Sequence, residues 1–245
     1  MSDATLLIVI MGPTAAGKSA HAMALAPQIG GEIISADSRH IYRRMDIGTN
    51  KPTSQEQLAI PHHLIDIRDP HANFSLGEYV ALARTAITDV RARGKVPLLV
   101  GGTGQYIRAV LEGWQVPEVP PNPEIRARWA ALAAERGGQA LWDELLLRDP
   151  AAQQTIDPRN VRRVIRALEV MEVTGQRWSA LQQREPLDRS RVQLIYVNLP
   201  RDELYARADE RLLHMIGQGW VDEVRALLNE LAAHGIDAEA AMRLP

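Results

Sequence analysis

Residues 12–19 read Gly-Pro-Thr-Ala-Ala-Gly-Lys-Ser and match the pattern G-x-x-x-x-G-K-[ST]. The apolar run 6–11 precedes this loop and predicts a buried strand, and the helix-forming segment 20–26 follows it. In that order, the loop amides and the helix N-terminus form a cradle for anions. Lys18 adds a positive charge, and the Ser19 hydroxyl is a possible Mg²⁺ ligand. The stretch predicts phosphate binding but not which phosphorylated molecule is bound.

The composition is ordinary for a globular protein, with 46% hydrophobic and 24% charged residues among 245. The absence of cysteine excludes disulfides and thiolate metal sites. No apolar run reaches the ~20 residues of a membrane span, and residues 1–5 lack the basic region of a signal peptide. We therefore expect a cytoplasmic protein. A net charge of −2 argues against a broadly basic nucleic-acid-binding protein, although it permits one basic patch.

Short apolar runs alternate with helical patterns along most of the chain. Further strands are predicted at 32–35, 64–67, 96–100 and 193–198, and a helix is predicted at 77–93. This alternation predicts βαβ units and a mostly parallel sheet, with ligands at the carboxyl ends of the strands. The expected fold class is α/β, with a P-loop NTPase-like parallel sheet flanked by helices.

The stretch 114–188 differs from its surroundings. Four prolines between 117 and 123 introduce it and argue for a linker. Helical patterns follow at 124–136, 140–147 and 160–174, with no strand pattern among them. We predict an all-helical insertion at 114–188, placed between a first part of the core at 1–113 and its return at 189–245. Two amphipathic helices are predicted after the last strand, at 201–216 and 220–233.

Two aspartates are candidates for chemistry at the edge of the sheet. Asp37 follows the second predicted strand, where a carboxylate can accept a proton from a nucleophile. A turn-capping role for Asp37 is the equally weighted alternative. Asp66 is the best candidate for an Mg²⁺-binding acid, but it lies within its apolar run, and the strand 96–100 ends in glycines without any acid. This weak pattern argues against ATP hydrolysis.

Arg207 and Arg211 are four residues apart and share one helix face. Such a face could clamp a diphosphate. Without other information, a solvated face paired with Asp209 or Glu210 is the favoured interpretation.

One helix of the insertion carries a basic stripe. Asp157 and Pro158 predict its start, with Asp157 as the N-cap. Apolar residues share one face, and arginines share the opposite face: Val161, Val164, Ile165 and Leu168 against Arg159, Arg162, Arg163 and Arg166. The arginines suit nucleic-acid phosphates, and a solvated face is the alternative of equal weight. For the tryptophans in or beside the insertion, packing in a core is favoured over stacking on RNA bases: these are Trp114, Trp129, Trp142 and Trp178.

These features leave three functional classes. The first is a small-molecule kinase that uses ATP, and the missing Mg²⁺-binding acid and the arginine stripe count against it. The second is a transferase whose donor substrate is a diphosphate. The third is a nucleic-acid-binding module with a regulatory nucleotide site, which the lack of overall basic charge disfavours.

The motifs together resemble the tRNA dimethylallyltransferases, a family of isopentenyl transferases. The matching segments occur in family order at 12–19, 35–38, 45–49, 51–52, 61–66, 99–104, 160–169 and 207–211. The resemblance implies an enzyme that transfers a dimethylallyl group from dimethylallyl diphosphate to the exocyclic N6 amine of an adenine beside the tRNA anticodon. A P-loop kinase that uses ATP remains the alternative.

The resemblance also implies roles for individual residues. The loop would bind dimethylallyl diphosphate with Mg²⁺, rather than ATP, through Gly12, Pro13, Thr14, Ala15, Ala16, Gly17, Lys18 and Ser19. Asp37 matches the general base, and Arg211 matches an arginine on the diphosphate. The positions implied for tRNA are Asp37, Ser38, Arg39, His40, Thr103, Arg126, Arg162, Arg163, Val164, Ile165 and Arg166. The expected partners are the tRNA anticodon stem-loop and dimethylallyl diphosphate, with no membrane and with a monomeric chain.

The chain departs from the family pattern at three places. Asn50 and Gln105 stand where the family usually has alanine and leucine. Family members continue for many tens of residues through a glycine-tyrosine motif and basic helices, whereas this chain ends at 238–245 with Ala-Glu-Ala-Ala-Met-Arg-Leu-Pro. The resemblance therefore implies a C-terminally truncated chain that is less stable and less active than a full-length relative.

Overall fold

The computed structural model describes residues 6–117 and 119–241. Residues 1–5, where a signal peptide is not expected, and residues 242–245, the end of the tail, lie outside the described part, as does residue 118. The strands are β1 (Leu7–Met11), β2 (Gly31–Ser35), β3 (His62–His63), β4 (Val96–Gly101) and β5 (Val192–Tyr196). The helices are α1 (Lys18–Ile29), α2 (Ser54–Ala59), α3 (Leu76–Ala92), α4 (Gly104–Leu111), α5 (Pro123–Arg148), α6 (Val161–Thr174), α7 (Arg201–Gly217), α8 (Trp220–Ala233) and α9 (Ala238–Ala241).

Contacts divide the chain into two compact units. The first comprises Met1–Gly113 and Pro186–Pro245, and the second is Trp114–Glu185. Across the described ranges, no helix has the length and apolarity needed to cross a membrane.

The first unit contains a five-stranded sheet in the order β3-β2-β4-β1-β5, in which all pairs are parallel. The strand β1 lies between β4 and β5, and Ile10 is paired with Val100 on one side and with Ile195 on the other. It is almost wholly buried, as expected for a strand covered on both faces. The predicted α/β fold class with a parallel sheet is confirmed.

Helix α1 packs against the sheet through small side chains. Ala22 and Ala26 are buried in one cluster with Ile10, Leu98 and Val100. The helices α3 and α4 contact each other, and the ring of Tyr79 stacks on that of Tyr106 with centroids 3.8 Å apart. This packing fixes the carboxyl ends of β1, β2 and β4. The glycine loop follows β1, and one turn follows each of β2 and β4.

The strand predicted at 64–67 is wrong. Only His62 and His63 pair with β2, and the chain then turns because Leu64 and Asp66 take left-handed backbone angles of φ 63° and 56°. The carboxylate of Asp66 accepts a hydrogen bond from Lys51 Nζ at 2.6 Å. Asp66 is therefore the partner of a buried lysine and not a strand-end acid.

The second unit is helical, and its described residues contain no strand. Helix α5 is kinked at Gly137, where φ is 82° and ψ is 163°. Trp129, Trp142 and Trp178 are buried in the unit's own core, which confirms the core interpretation for these three. Trp114 is half-buried, and the guanidinium of Arg184 lies 5.6 Å from its ring centroid.

Helix α6 begins later than the sequence predicts. Its N-cap is Asn160, whose side chain accepts from the Arg163 amide at 3.1 Å. Asp157 instead accepts from the backbone and the guanidinium of Arg159. The Asp157 N-cap prediction is wrong because this local turn takes up the carboxylate before the helix starts.

A buried carboxylate joins α5 and α6. Glu169 is fully buried and accepts two hydrogen bonds from Arg126, at 2.8 and 3.0 Å, and one from Arg166 at 2.6 Å. The amide of Asn122 also donates to it at 2.6 Å. Burial raises the pKa of Glu169, but the bonds from Arg126, Arg166 and Asn122 outweigh this effect and hold the pKa below its usual value.

Replacing this carboxylate should destabilise the helical unit. We expect Glu169→Gln to lower the free energy of unfolding by about 2 kcal/mol at pH 7, because it leaves two arginines without their anion. Since the folded pKa is depressed, the contribution is fully present above the unfolded glutamate pKa of about 4.3 and is lost as pH falls through the folded pKa. Urea unfolding followed by tryptophan fluorescence at pH 3 to 7 measures it.

The matched control is Glu135→Gln, which removes an exposed carboxylate paired with Arg136. We expect its effect to stay within about 0.5 kcal/mol. A difference between Glu169→Gln and the wild type that does not shrink below pH 4 would contradict the assignment.

Candidate active site

The glycine loop enters α1 with its helix N-terminus open. Gly12 lies so close to β5's end that a Cβ there would be 2.0 Å from the carbonyl oxygen of Val197. Ala15 and Gly17 have left-handed φ angles of 65° and 94°, and Gly17 is the N-cap. No side chain of the described residues caps α1. Its first amides therefore lack acceptors and, with the helix dipole, form an anion site.

Lys18 lies in the middle of this site. Its Nζ donates to the carbonyl of Pro13 at 2.8 Å. Burial lowers the pKa of Lys18, the negative charge of Asp37 raises it in part, and the positive charge of Arg211 lowers it again, so that the net pKa is below that of an ordinary lysine. The three charged side chains are thus electrostatically coupled.

A pocket of about 250 Å³ opens between the glycine loop and the turn after β2. Thr14, Lys18, Ser19, Asp37 and Arg211 line it. Arg39 and His40 line it as well, so seven residues selected from the sequence meet at one cavity. Among these residues, the cations Lys18 and Arg211, the hydroxyl residues Thr14 and Ser19, and the carboxylate of Asp37 can hold a polyanion and accept a proton beside it.

The geometry of Asp37 is compatible with both roles that the sequence left open. Its Oδ1 accepts from the amide of Arg39 at 2.9 Å, which forms a local turn. The carboxylate nevertheless lines the pocket, because the turn points it there. One oxygen therefore fixes the side chain, and the other can act on a ligand.

Ser38 and Thr103 bind each other beside the pocket. The amide of Ser38 donates to Thr103 Oγ1 at 3.0 Å, and the amide of Thr103 donates to the carbonyl of Ala36 at 3.1 Å. Gly101 permits this approach, since a Cβ there would be 2.1 Å from the Ala36 oxygen. Part of the glycine run after β4 is thus explained by packing against the Asp37 turn.

Buried side chains from several segments support the same turn, and one of them, Tyr79, was not singled out from the sequence. The hydroxyl of Tyr79 donates to the carbonyl of Ser35 at 3.0 Å. His40 Nε2 lies 3.1 Å from the carbonyl oxygen of Thr49, and its Nδ1 lies 3.3 Å from Ser35 Oγ. Lys51, also buried, lies on the same wall and donates to Asp46 and Asp66 at 2.6 Å each. No local pattern marks Tyr79, whereas His40 and Lys51 lie within or beside motifs.

The two arginines of α7 separate in the structure. Arg211 lines the pocket, whereas Arg207 donates to Glu203 at 2.9 Å one turn earlier on the exposed surface. Of the two, only Arg211 is placed where it could contact a diphosphate, and Arg207 lies on a solvated face, paired with a different acid than expected.

The residues predicted to contact tRNA on α6 fall into different environments. Arg162 and Arg163 are exposed, and Ile165 is half-buried. Val164 is fully buried in the helical core, so the structure contradicts a side-chain contact with RNA at this position. Arg126 and Arg166 hold Glu169, and Arg166 also donates to the carbonyl of Val119. The exposed part of the predicted stripe on α6 is therefore Arg162 and Arg163.

The comparisons with known proteins agree on one family. The sequence model described as IPP transferase matches residues 40–243, and the one described as isopentenyl transferase matches residues 5–72. A tRNA dimethylallyltransferase from Chloroflexus aggregans is 58% identical over 222 residues, which cover 91% of this chain and 75% of the relative. Another from Roseiflexus castenholzii is 53% identical and covers 91% and 72%, respectively.

Solved structures show the same likeness. The full-length tRNA isopentenylpyrophosphate transferase from Bacillus halodurans is 39% identical, with a TM-score of 0.61, over 97% of this chain and 73% of that one. A eukaryotic dimethylallyltransferase that acts on tRNA is 27% identical, with a TM-score of 0.77, over 94% and 57%.

Proposed function

Because this chain belongs to the IPP transferase family, we propose that it transfers a dimethylallyl group from dimethylallyl diphosphate to the N6 amine of an adenine beside the tRNA anticodon, releasing diphosphate. The observation that carries the proposal is the meeting of an anion cradle and a carboxylate in one pocket. Lys18, Arg211 and Asp37 line that pocket together. A kinase could use the same cradle and also a carboxylate base, so membership of the family is what favours prenyl transfer over phosphoryl transfer.

The cradle binds the donor substrate. The open amides of α1, with Lys18 and Arg211, neutralise the diphosphate oxygens. As the bond between the allylic carbon and the diphosphate oxygen breaks, its electron pair stays on the diphosphate. Because the cations are already in place, they stabilise the negative charge as it develops on the leaving diphosphate.

Asp37 completes the proton balance. The nitrogen of the adenine amine forms the new bond to the allylic carbon, and one of its two protons passes to the carboxylate of Asp37. The Arg39 amide holds one carboxylate oxygen at 2.9 Å, which orients the side chain for this transfer. An adenine amine is a weak nucleophile, so removing the proton assists bond formation.

Mg²⁺ is the expected cofactor. In the described part of the chain, no three His, Asp or Glu side chains cluster into a metal site. The Ser19 and Thr14 hydroxyls line the diphosphate pocket, which fits an ion that keeps its waters and shares substrate oxygens. Ser19 would hold it, and the ion would add positive charge at the leaving group.

Ligand choice and transfer test the proposal directly. With Mg²⁺ present, we expect dimethylallyl diphosphate to raise the melting temperature more than ATP does. We also expect the radiolabelled dimethylallyl group to appear in unmodified tRNA but not in tRNA whose target adenine is replaced by guanine. Stabilisation by ATP alone, without label transfer, would favour the kinase.

We propose that the exposed arginines of α6, Arg162 and Arg163, bind tRNA. We expect Arg162→Ala with Arg163→Ala to weaken tRNA binding and to reduce the slope of log Kd against log salt by about 1–2, because each lost phosphate contact removes about one released counterion. The control Arg136→Ala with Arg225→Ala removes two exposed arginines that are paired with acids. Filter binding at 50 to 300 mM KCl measures both slopes. Equal slopes in the two double variants would show that Arg162 and Arg163 are solvated and do not contact tRNA phosphates.

A further inference from the structure

The first turn of α8 carries a carboxylate that is held by three consecutive backbone amides. Glu223 Oε2 accepts from the amides of Asp46 and Ile47 at 2.8 and 2.7 Å, and its Oε1 accepts from Gly48 at 3.0 Å. Successive amides that converge on one anion form a nest. Glu223 is separated by more than 170 positions from this turn, so the contact is a tertiary one.

Trp220 holds the same turn from a second direction. A Cβ at Gly48 would lie 2.0 Å from Trp220 Nε1, so the indole rests directly on the glycine backbone. The next turns of α8 add an ion pair, in which Arg44 Nε donates to Glu230 at 2.7 Å. Helix α8 therefore contacts segment 44–48 at Arg44 and at residues 46–48.

Segment 44–48 leads directly into residues that line the pocket. Gly48, Thr49 and Asn50 line the pocket, and the carbonyl of Thr49 contacts His40, which also lines it. Helix α7, which packs on α8, brings Arg211 to the same pocket. Helices α7 and α8 together therefore position Arg211 and the pocket-lining residues 48–50.

We propose that Glu223 and Trp220 are positioning residues for the diphosphate substrate. They hold residues 46–50 in place, so that the pocket keeps the shape that binds this substrate. This rests on the proposed function. Neither side chain lines the pocket, so each acts through the turn. A displacement of about 1 Å in a substrate-binding group can cost ~10²-fold.

The first test compares Glu223→Gln with Asp222→Asn. Both remove one negative charge from the first turn of α8, so their effects on the helix dipole match, but among the described residues the Asp222 carboxylate pairs with Arg225 alone. We expect Glu223→Gln to raise the KM for dimethylallyl diphosphate by about tenfold, with the KM for tRNA unchanged. It should also speed hydrogen exchange at the amides of Ile47 and Gly48, whereas Asp222→Asn should change neither quantity.

Unchanged exchange at these two amides in Glu223→Gln overturns the proposal whatever the kinetics show. Faster exchange with an unchanged KM overturns the positioning role. A wild-type protein that transfers no dimethylallyl group overturns the proposed function instead, and the exchange comparison alone then decides whether Glu223 holds the turn.

The second test uses compensation between Gly48 and Trp220. Gly48→Ala pushes a methyl group into the indole, and we expect it to raise the KM for dimethylallyl diphosphate. Trp220→Leu frees that space, so the double variant should have a lower KM than Gly48→Ala alone. Coupled effects of this kind identify residues in contact. Simple additivity of the two changes would contradict the proposal.

Discussion

Asparagine at position 37 should reduce dimethylallyl transfer by ~10²–10⁴-fold while tRNA and dimethylallyl diphosphate still bind. The exchange removes the proton acceptor but keeps the side-chain oxygen that accepts from the Arg39 amide at 2.9 Å, so the turn persists. Single-turnover transfer of radiolabel measures the rate, and filter binding measures the affinity for tRNA.

The control is Asp188→Asn, which makes the same exchange in the same type of turn. Asp188 Oδ1 accepts from the amide two residues later at 2.9 Å, and the side chain is exposed. We expect this variant to retain wild-type transfer. A loss of tRNA binding in Asp37→Asn, with no separate loss of rate, would show that Asp37 binds rather than catalyses.

Methionine at position 18 should lower transfer by ~10²–10³-fold, comparable to the loss of one donor that stabilises developing charge. Methionine keeps the length of the side chain but removes both the charge and the bond to Pro13. The matched control is Lys95→Met, because Lys95 is exposed and does not line the pocket. Steady-state kinetics with saturating tRNA separate the effects on kcat and KM, and a loss of less than about fivefold would remove Lys18 from the mechanism.

The low pKa of Lys18 gives this prediction a pH dependence. Burial is its main cause, so the side chain loses its charge at a lower pH than an ordinary lysine does. The affinity for inorganic diphosphate should therefore fall as pH rises through the lowered pKa. Arginine stays charged over this range, so Lys18→Arg should hold its affinity between pH 7 and 10. Calorimetry on both proteins checks the difference.

The sequence predicts the centre of the first unit well because its signals are local. The strand β1 is a continuous apolar run between two covered faces, and the glycine loop and α1 follow in fixed order. The carboxyl ends of parallel strands bring Asp37 to the loop without any further information. The strand prediction at 64–67 failed because an apolar run does not reveal that Leu64 and Asp66 take left-handed angles.

Other features depend on contacts that no local pattern encodes. Arg207 and Arg211 read alike, and only the packing of α7 distinguishes the pocket residue from the exposed one. Glu223 reads as an ordinary acid in a first helical turn, although it accepts from three distant amides. The departure at Asn50 has a local reason, since its φ is 53° and asparagine tolerates this region better than alanine.

The position of β1 inside the sheet determines when the first unit can be completed on the ribosome. Its register with β5 joins Leu7 to Val192, so β1 cannot complete its pairing until β5 has been synthesised. The segment Trp114–Glu185 is contiguous and leaves the exit tunnel before β5 does. Since domains generally fold as units during synthesis, the helical unit should fold first, and the glycine loop gains its neighbour Val197 only after the whole helical unit has been synthesised.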